Sequence, residues 1–170
     1  MSPTRVPLLP PLIAVLLLAA PAAAQAPAAG LGALPRVALE AVVSPDHPGV
    51  AAEDLARRLQ TALRAGGPAP AVAPGSAGVL RLTVSVSRVS ATELRGFYLP
   101  FSGWYGLGSV RLAVERTVTV QGVAGPVRAV VWQAERPVQT SWQRSGAAIV
   151  TLVEALAAGF LEDYRRAVGP

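Results

Sequence analysis

The chain has 170 residues and a formal charge of +5, and it contains no cysteine and a single histidine. The absence of cysteine excludes disulfides, thiol catalysis, cysteine-based metal sites and a lipid-anchoring lipobox. One histidine without cysteine does not make an ordinary zinc or copper site, so we expect no metal and no cofactor.

The first 24 residues are predicted to be a cleaved signal peptide. Arg5 supplies the positive charge, residues 12–20 form the apolar segment, and Ala22 and Ala24 are the small residues before a cut at Gln25. The apolar segment is short for a bilayer span, which disfavours the alternative of an uncleaved membrane anchor. We therefore expect a periplasmic protein.

All fifteen basic residues are arginine, and lysine and asparagine are absent. This composition is typical of a high-G+C genome and, with the export signal, indicates a Gram-negative bacterium. The arginines are scattered along the chain rather than clustered, so we expect no nucleic-acid partner.

Residues 25–35 are rich in Ala, Gly and Pro and are predicted to be a flexible leader before a single domain over 36–170. Alternating apolar residues predict a first strand from Arg36 that stops at Ser44. A helix follows from about Ala52, with an apolar stripe that includes Leu55, Leu59 and Leu63, and Gly66 ends it.

Residues 66–78 are predicted to be a connector that does not pack. A second strand follows at about 80–87 and a third at 109–121, each with alternating apolar and polar residues, which is typical of a sheet with one wet face. A fourth strand over 127–136 is apolar on both sides, which favours a covered position. Pro137 is predicted to end its regular pairing.

The last predicted element is a helix from about Gly146 to Ala167, with Ser145 as its cap. Its apolar stripe comprises Ile149, Leu152, Val153, Leu156, Phe160 and Tyr164. Acidic residues on its other side argue against a membrane span.

This order predicts an α+β fold: a two-layer β-α-β-β-β-α sandwich with a mainly antiparallel four-stranded sheet and two helices on one face. By topology over residues 36–167 and by export signal, the chain resembles small bacterial envelope proteins of the lipopolysaccharide-assembly lipoprotein and ABC-transport auxiliary lipoprotein type, although it lacks their lipid-anchoring cysteine. The resemblance implies a non-catalytic role in partner binding or lipid handling at the cell envelope.

Five of the nine aromatic residues lie within nine positions, namely Phe97, Tyr98, Phe101, Trp104 and Tyr105. Interspersed Gly and Pro predict a loop between the second and third strands. A loop this apolar must bury its rings, and three hypotheses stay open: the rings cap the core, they dock a protein partner, or they contact a membrane or lipidic ligand. Trp104, between Gly103 and Gly106, is interpreted as the projecting tip.

No catalytic residue is expected. The histidine, His47, follows Ser44 and Asp46 in a proline-bounded turn, where the three side chains cannot adopt the geometry of a triad. We expect His47 to be solvated.

These features predict a non-enzymatic envelope accessory protein that binds a protein partner, with the aromatic loop and the wet sheet face as candidate surfaces. A lipid or membrane surface is a second candidate contact. The alternative is a small periplasmic carrier of an apolar or lipid ligand. The sequence does not define the partner, the oligomeric state or the pathway.

Overall fold

The computed structural model describes residues 30–32, 34–43, 47, 49–94 and 103–169. Phe97, Tyr98, Phe101 and the predicted signal peptide lie outside these residues. The elements in chain order are β1 (Arg36–Val43), α1 (Ala52–Ala65), β2 (Ala71–Val72), β3 (Gly78–Ser90), β4 (Trp104–Thr119), β5 (Pro126–Ser141) and α2 (Trp142–Val168).

Within the described residues, the strands form one mixed sheet in the order β2-β1-β3-β4-β5. β1 pairs in parallel with both β2 and β3, and β3, β4 and β5 are antiparallel neighbours. The α+β class is confirmed. The expected four-stranded, mainly antiparallel sheet differs from the observed one, because β2 adds a fifth strand and a second parallel pair.

Both helices pack on one face of the sheet and share one core. The predicted periodicities are confirmed in α1, β3 and α2, because side chains on one stripe or one strand face are the buried ones. They include Leu55, Leu59 and Leu63 of α1, Leu80, Leu82, Val84 and Val86 of β3, and Ile149, Val153, Leu156, Phe160 and Tyr164 of α2. Val110, Leu112 and Val114 of β4 belong to the same core.

The other face of the sheet carries paired charges. Arg81 of β3 donates to Glu40 of β1 at 2.8 Å, and its second terminal nitrogen lies 3.3 Å from Glu115 of β4. Charges that bridge three strands keep this face polar, as the alternating pattern predicts.

Two segments expected not to pack contribute to the fold. Leu31 and Leu34, within the predicted flexible leader, are buried in the core. In the predicted connector, the backbone N–H of Ala71 donates to Pro35 and that of Ala73 donates to Val37, both at 2.9 Å. These backbone hydrogen bonds form β2, a strand that has no side-chain pattern to predict it.

β5 lies at the edge of the sheet, so the predicted covered position is wrong. Pairing with β4 continues through Pro137, which lies opposite Ser109. The predicted stop at this proline is also wrong, because an edge strand tolerates a missing backbone N–H on its free side. Trp132 attaches this edge to α2: it is buried, and its indole nitrogen donates to Asp163 at 2.9 Å.

α2 begins at Trp142, four residues before its predicted start, with Ser141 at the N-cap position. Ser145 is therefore buried inside the helix rather than at its cap. By length and composition alone α2 could cross a membrane, since it has 27 residues and contains an 18-residue window with a mean hydropathy of 1.5. In the structure its apolar stripe packs against the sheet.

Candidate functional site

The end of β3, the start of β4 and the start of α2 meet at one end of the molecule. Ser90 pairs with Trp104 in the β3–β4 register, and Tyr105 pairs with Ser141, directly before α2. We call this region the Trp104 end and define it by Arg88, Trp104, Trp142 and Arg144.

Trp104 is 43% exposed, and the guanidinium carbon of Arg88 lies 4.0 Å from the centre of its ring. Arg88 is itself exposed and lies opposite Gly106, two pairs away from the Ser90–Trp104 pair and therefore on the same face of the sheet as Trp104. This distance is within the range of a cation–π interaction, which holds the indole in place without covering it.

Trp104 and Tyr105 lie in strand β4, not in the predicted loop. Consecutive strand residues point to opposite faces, so the two rings are separated. Tyr105 is only 4% exposed, whereas Trp104 is on the surface. Of the five predicted site residues, Trp104 alone is an exposed ring among those that the structure describes.

Gly106 allows α2 to approach the sheet here. A Cβ atom on Gly106 would lie 2.8 Å from the Cβ of Ser145, closer than side chains approach. The glycine therefore places the start of α2 directly against β4, on the face that carries Arg88 and Trp104.

His47 is buried at this end, so its predicted solvated turn is wrong. Its Nε2 lies 2.8 Å from the hydroxyl of Ser145, and its ring centre lies 4.7 Å from that of Trp142. The segment before α1 is thereby attached to the first turn of α2.

The direction of these hydrogen bonds determines what the pair can do. The Ser145 hydroxyl donates its hydrogen to the carbonyl of Trp142 at 2.5 Å, so it accepts from Nε2–H of His47. A histidine that activates a serine nucleophile must accept the serine proton instead. Within the described residues, Nδ1 of His47 has no partner that would orient the ring as a base. We interpret the pair as structural.

The surface around the helix start is electropositive. The first turn of α2 contains no acidic residue and receives no side-chain cap, so its N–H groups and the positive end of the helix dipole are not offset by a carboxylate within the helix. Arg144 in this turn and Arg88 add positive charge, and both are exposed.

Glu93 is an acid at the end of β3. The backbone N–H of Ser90 donates to its carboxylate at 2.7 Å, and the Ser90 hydroxyl makes a second hydrogen bond to the carboxylate. These hydrogen bonds, the backbone one first, lower the pKa of Glu93 below its ordinary value of 4.5.

A pocket of about 380 Å³ adjoins Trp142 and is also lined by His47, Gly146 and Val150. A second pocket of about 390 Å³ shares Val150 and extends to Arg57 and Arg58 of α1. Together they form a depression between the starts of the two helices, with mainly apolar walls near Trp142 and arginines at its far side. No group of three metal-ligating side chains occurs within the described part of the chain.

The sequence did not reveal Arg88 or Trp142 as part of this site. Arg88 occupies the next even-numbered position of β3 after a series of core-facing residues. A charged side chain at such a position must reach solvent, so Arg88 could have indicated that the core ends there. Trp142 was missed because the start of α2 was placed four residues too late.

No protein-family model and no curated protein sequence matches the chain. Among solved structures, the chain is similar to a PelC dodecamer from Paraburkholderia phytofirmans, with 20% identity over 76% of this chain and 85% of that chain and a TM-score of 0.40. A single-substitution variant of that dodecamer aligns with 22% identity over 76% and 84%, with a TM-score of 0.39. TM-scores below 0.5 do not define a common fold, and the resemblance to envelope lipoproteins stays a prediction.

Proposed function

We propose that this chain is an exported, non-enzymatic accessory protein of the bacterial envelope that binds a protein partner at the Trp104 end. The observation that carries the proposal is the exposed indole of Trp104 beneath the guanidinium of Arg88. Trp and Arg are the residue types that most often anchor protein interfaces, and a pre-positioned ring loses little side-chain entropy on binding.

The charges around the ring define the chemistry of the partner. Arg88, Arg144 and the start of α2 present positive charge, and the pocket beside Trp142 is mainly apolar. A partner segment that combines an acidic residue with an apolar or aromatic one would pair with the arginines and occupy the pocket. In the envelope, such docking would serve the assembly or transport of lipid or another envelope component.

Docking is favoured over the alternative of an apolar-ligand carrier. A carrier needs an apolar cavity between helices and sheet, whereas that space is filled by side chains such as Leu59, Leu112 and Phe160, all fully buried. Four pockets of about 290 to 430 Å³ that are lined by described residues are surface depressions, and each contains an ionisable side chain.

Site-specific photo-crosslinking tests this proposal. A photoreactive amino acid replaces Trp104 in cells, and a matched protein carries it at Val42, which is 53% exposed on the distant strand β1. We expect a discrete crosslinked envelope protein from position 104 and none from position 42. The same product from both positions, or none from position 104, would argue against docking at this end.

A further inference from the structure

The β4–β5 hairpin extends past the two-helix layer at the end of the sheet opposite Trp104. Val114 pairs with Trp132, whose ring contacts Phe160 of α2, and a bulge follows between Val114 and Glu115. Past the bulge, Glu115 and Arg116 still pair with Val79 and Gly78 of β3. From Thr117 the strands continue as a two-stranded arm, and its residues from 119 to 128 are all exposed. We call residues 117–127 the hairpin tip.

The hairpin tip is apolar and carries no charge. Its eleven residues read Thr-Val-Thr-Val-Gln-Gly-Val-Ala-Gly-Pro-Val. Val120, Val123 and Val127 are 44%, 49% and 38% exposed, which makes them three of the most exposed large apolar side chains described. A two-stranded ribbon has no core of its own, so these side chains gain nothing from the fold.

Arginines surround the base of the hairpin tip. Arg116 pairs with Ala129, and Arg128 pairs with Thr117, so the two arginines lie at adjacent levels of the arm and on opposite faces of it. Arg36 of β1 lines the same surface pocket as Arg116. Arg128 lies 3.8 Å from Glu115, which itself also contacts Arg81, so the base retains a net positive charge.

We propose that the hairpin tip inserts into the headgroup layer of an anionic lipid bilayer. An uncharged apolar tip above a cationic base matches the bilayer surface, in which acyl chains lie beneath a layer of phosphates. The strand continues for three residues beyond Arg116 before it turns, which is a length of about 10 Å. Interfacial segments bury their apolar side to a depth of roughly 5–10 Å, so the two lengths match. Because the free strand edges would lose their hydrogen bonds in hydrocarbon, insertion stops at the interface.

The distribution of the apolar groups favours a lipid phase over a protein surface. Val118 and Val127 pair with each other on the helix side of the arm, Val120 and Val123 lie in the turn, and the opposite face carries Thr117, Thr119 and Pro126. A protein partner contacts one face of such an arm. A lipid interface surrounds the tip, and both faces of this tip lack charge.

Insertion at this end leaves the proposed docking site free. β4 runs from Trp104 to Thr119, and 16 strand residues span about 50 Å. The membrane contact and the Trp104 end therefore lie at opposite ends of one strand. A protein attached to a membrane by its hairpin tip presents Trp104 to a partner about that far from the lipid surface.

Vesicle binding tests the proposal. The purified exported protein is sedimented with vesicles of equal parts phosphatidylglycerol and phosphatidylcholine, and with phosphatidylcholine alone, at about 0.1 M salt. We expect binding to the anionic vesicles that weakens as salt rises. Val123→Asp should reduce the affinity about tenfold or more, because it removes a buried valine and adds a charge of the wrong sign. Arg116→Gln should reduce it about fivefold.

Val42→Asp is the matched control, since Val42 is as exposed as Val123 but lies on β1. It should change the affinity by less than about twofold. Because the chain has no cysteine, a dye attached to Val123→Cys gives a second readout that does not depend on the folding of the aspartate variant. Its emission should shift to shorter wavelength on anionic vesicles, and that of the same dye on Val42→Cys should not.

Three results would overturn the proposal. The first is that the protein does not sediment with anionic vesicles. The second is that Val123→Asp and Val42→Asp reduce the affinity for these vesicles equally. The third is that the protein self-associates in solution and that Val123→Asp abolishes this self-association. The last would show that a second copy of the chain, not lipid, covers the hairpin tip.

Discussion

The hydroxyl of Ser145 accepts a hydrogen bond from Nε2 of His47 at 2.8 Å, between residues 98 positions apart in the chain. The contact joins the segment before α1 to the first turn of α2, and it is buried on both sides. The histidine thus links two segments of the fold near the Trp104 end.

Ser145→Ala should destabilise the protein by about 1–3 kcal/mol, because it leaves the buried Nε2–H of His47 without an acceptor. A double-mutant cycle with His47→Ala, measured by urea unfolding, should give a coupling free energy of about 1 kcal/mol. Because His47 also lines the pocket beside Trp142, folded His47→Ala should weaken partner binding by no more than about tenfold. A hundredfold loss of function with unchanged stability would instead indicate catalysis.

Trp104→Ala and Tyr105→Ala should differ in stability although the residues are adjacent. Because Trp104 is exposed, Trp104→Ala should lower the free energy of unfolding by no more than about 1 kcal/mol, even though it removes the contact with Arg88. Tyr105 is buried, and its truncation should cost about 3 kcal/mol or more. Thermal and urea unfolding measure both values. Equal costs would mean that Trp104 supports the core and is not a free anchor.

Asp163→Ala should cost about 1–3 kcal/mol, because it leaves the indole N–H of buried Trp132 unsatisfied. The neighbouring Glu162→Ala is the control, since Glu162 and Asp163 both pair with Arg166 but Glu162 is exposed. That control should stay within about 0.5 kcal/mol of the wild type. If the two substitutions lower the free energy of unfolding equally, the hydrogen bond of Trp132 to Asp163 does not stabilise the packing of β5 against α2.

Glu93→Gln should alter the pH dependence of stability. The folded-state pKa of Glu93 is lowered by its hydrogen bonds from Ser90, so the carboxylate stabilises the fold above its ordinary pKa of 4.5. That contribution is lost as the pH falls through the lowered value. Urea midpoints should therefore favour the wild type at neutral pH, and the difference should disappear in acid. A pH-independent difference would contradict this assignment.

The sequence predicted the elements whose side chains alternate or repeat with a helical period. β1, α1 and β3 occur at the predicted positions because one face of each is apolar and the other is polar. Elements held by backbone hydrogen bonds could not be predicted in this way. β2 has two residues and no pattern, and β4 begins at Trp104 although Gly106 and Gly108 interrupt its apolar alternation.

Edge position explains the errors in β5. A strand that is apolar on both sides suggests a covered location, and a proline suggests a stop, yet an edge strand accommodates both. For the site, the clustered aromatic residues left core capping, partner docking and lipid contact open, and the flanking Gly103 and Gly106 predicted Trp104 as the projecting ring. The contact of Trp104 with Arg88 depends on the β3–β4 register, and the buried contact of His47 with Ser145 depends on where α2 begins. Local sequence specifies neither.

Whether Trp104 anchors a protein partner is decided by the dissociation constant of the protein crosslinked at position 104. It is measured with purified components for the wild type, Trp104→Ala and the control Val42→Ala. Docking predicts a dissociation constant about 30-fold or more higher for Trp104→Ala, with unchanged thermal stability, and a change of less than about twofold for Val42→Ala. Equal affinities for the wild type and Trp104→Ala would contradict the claim.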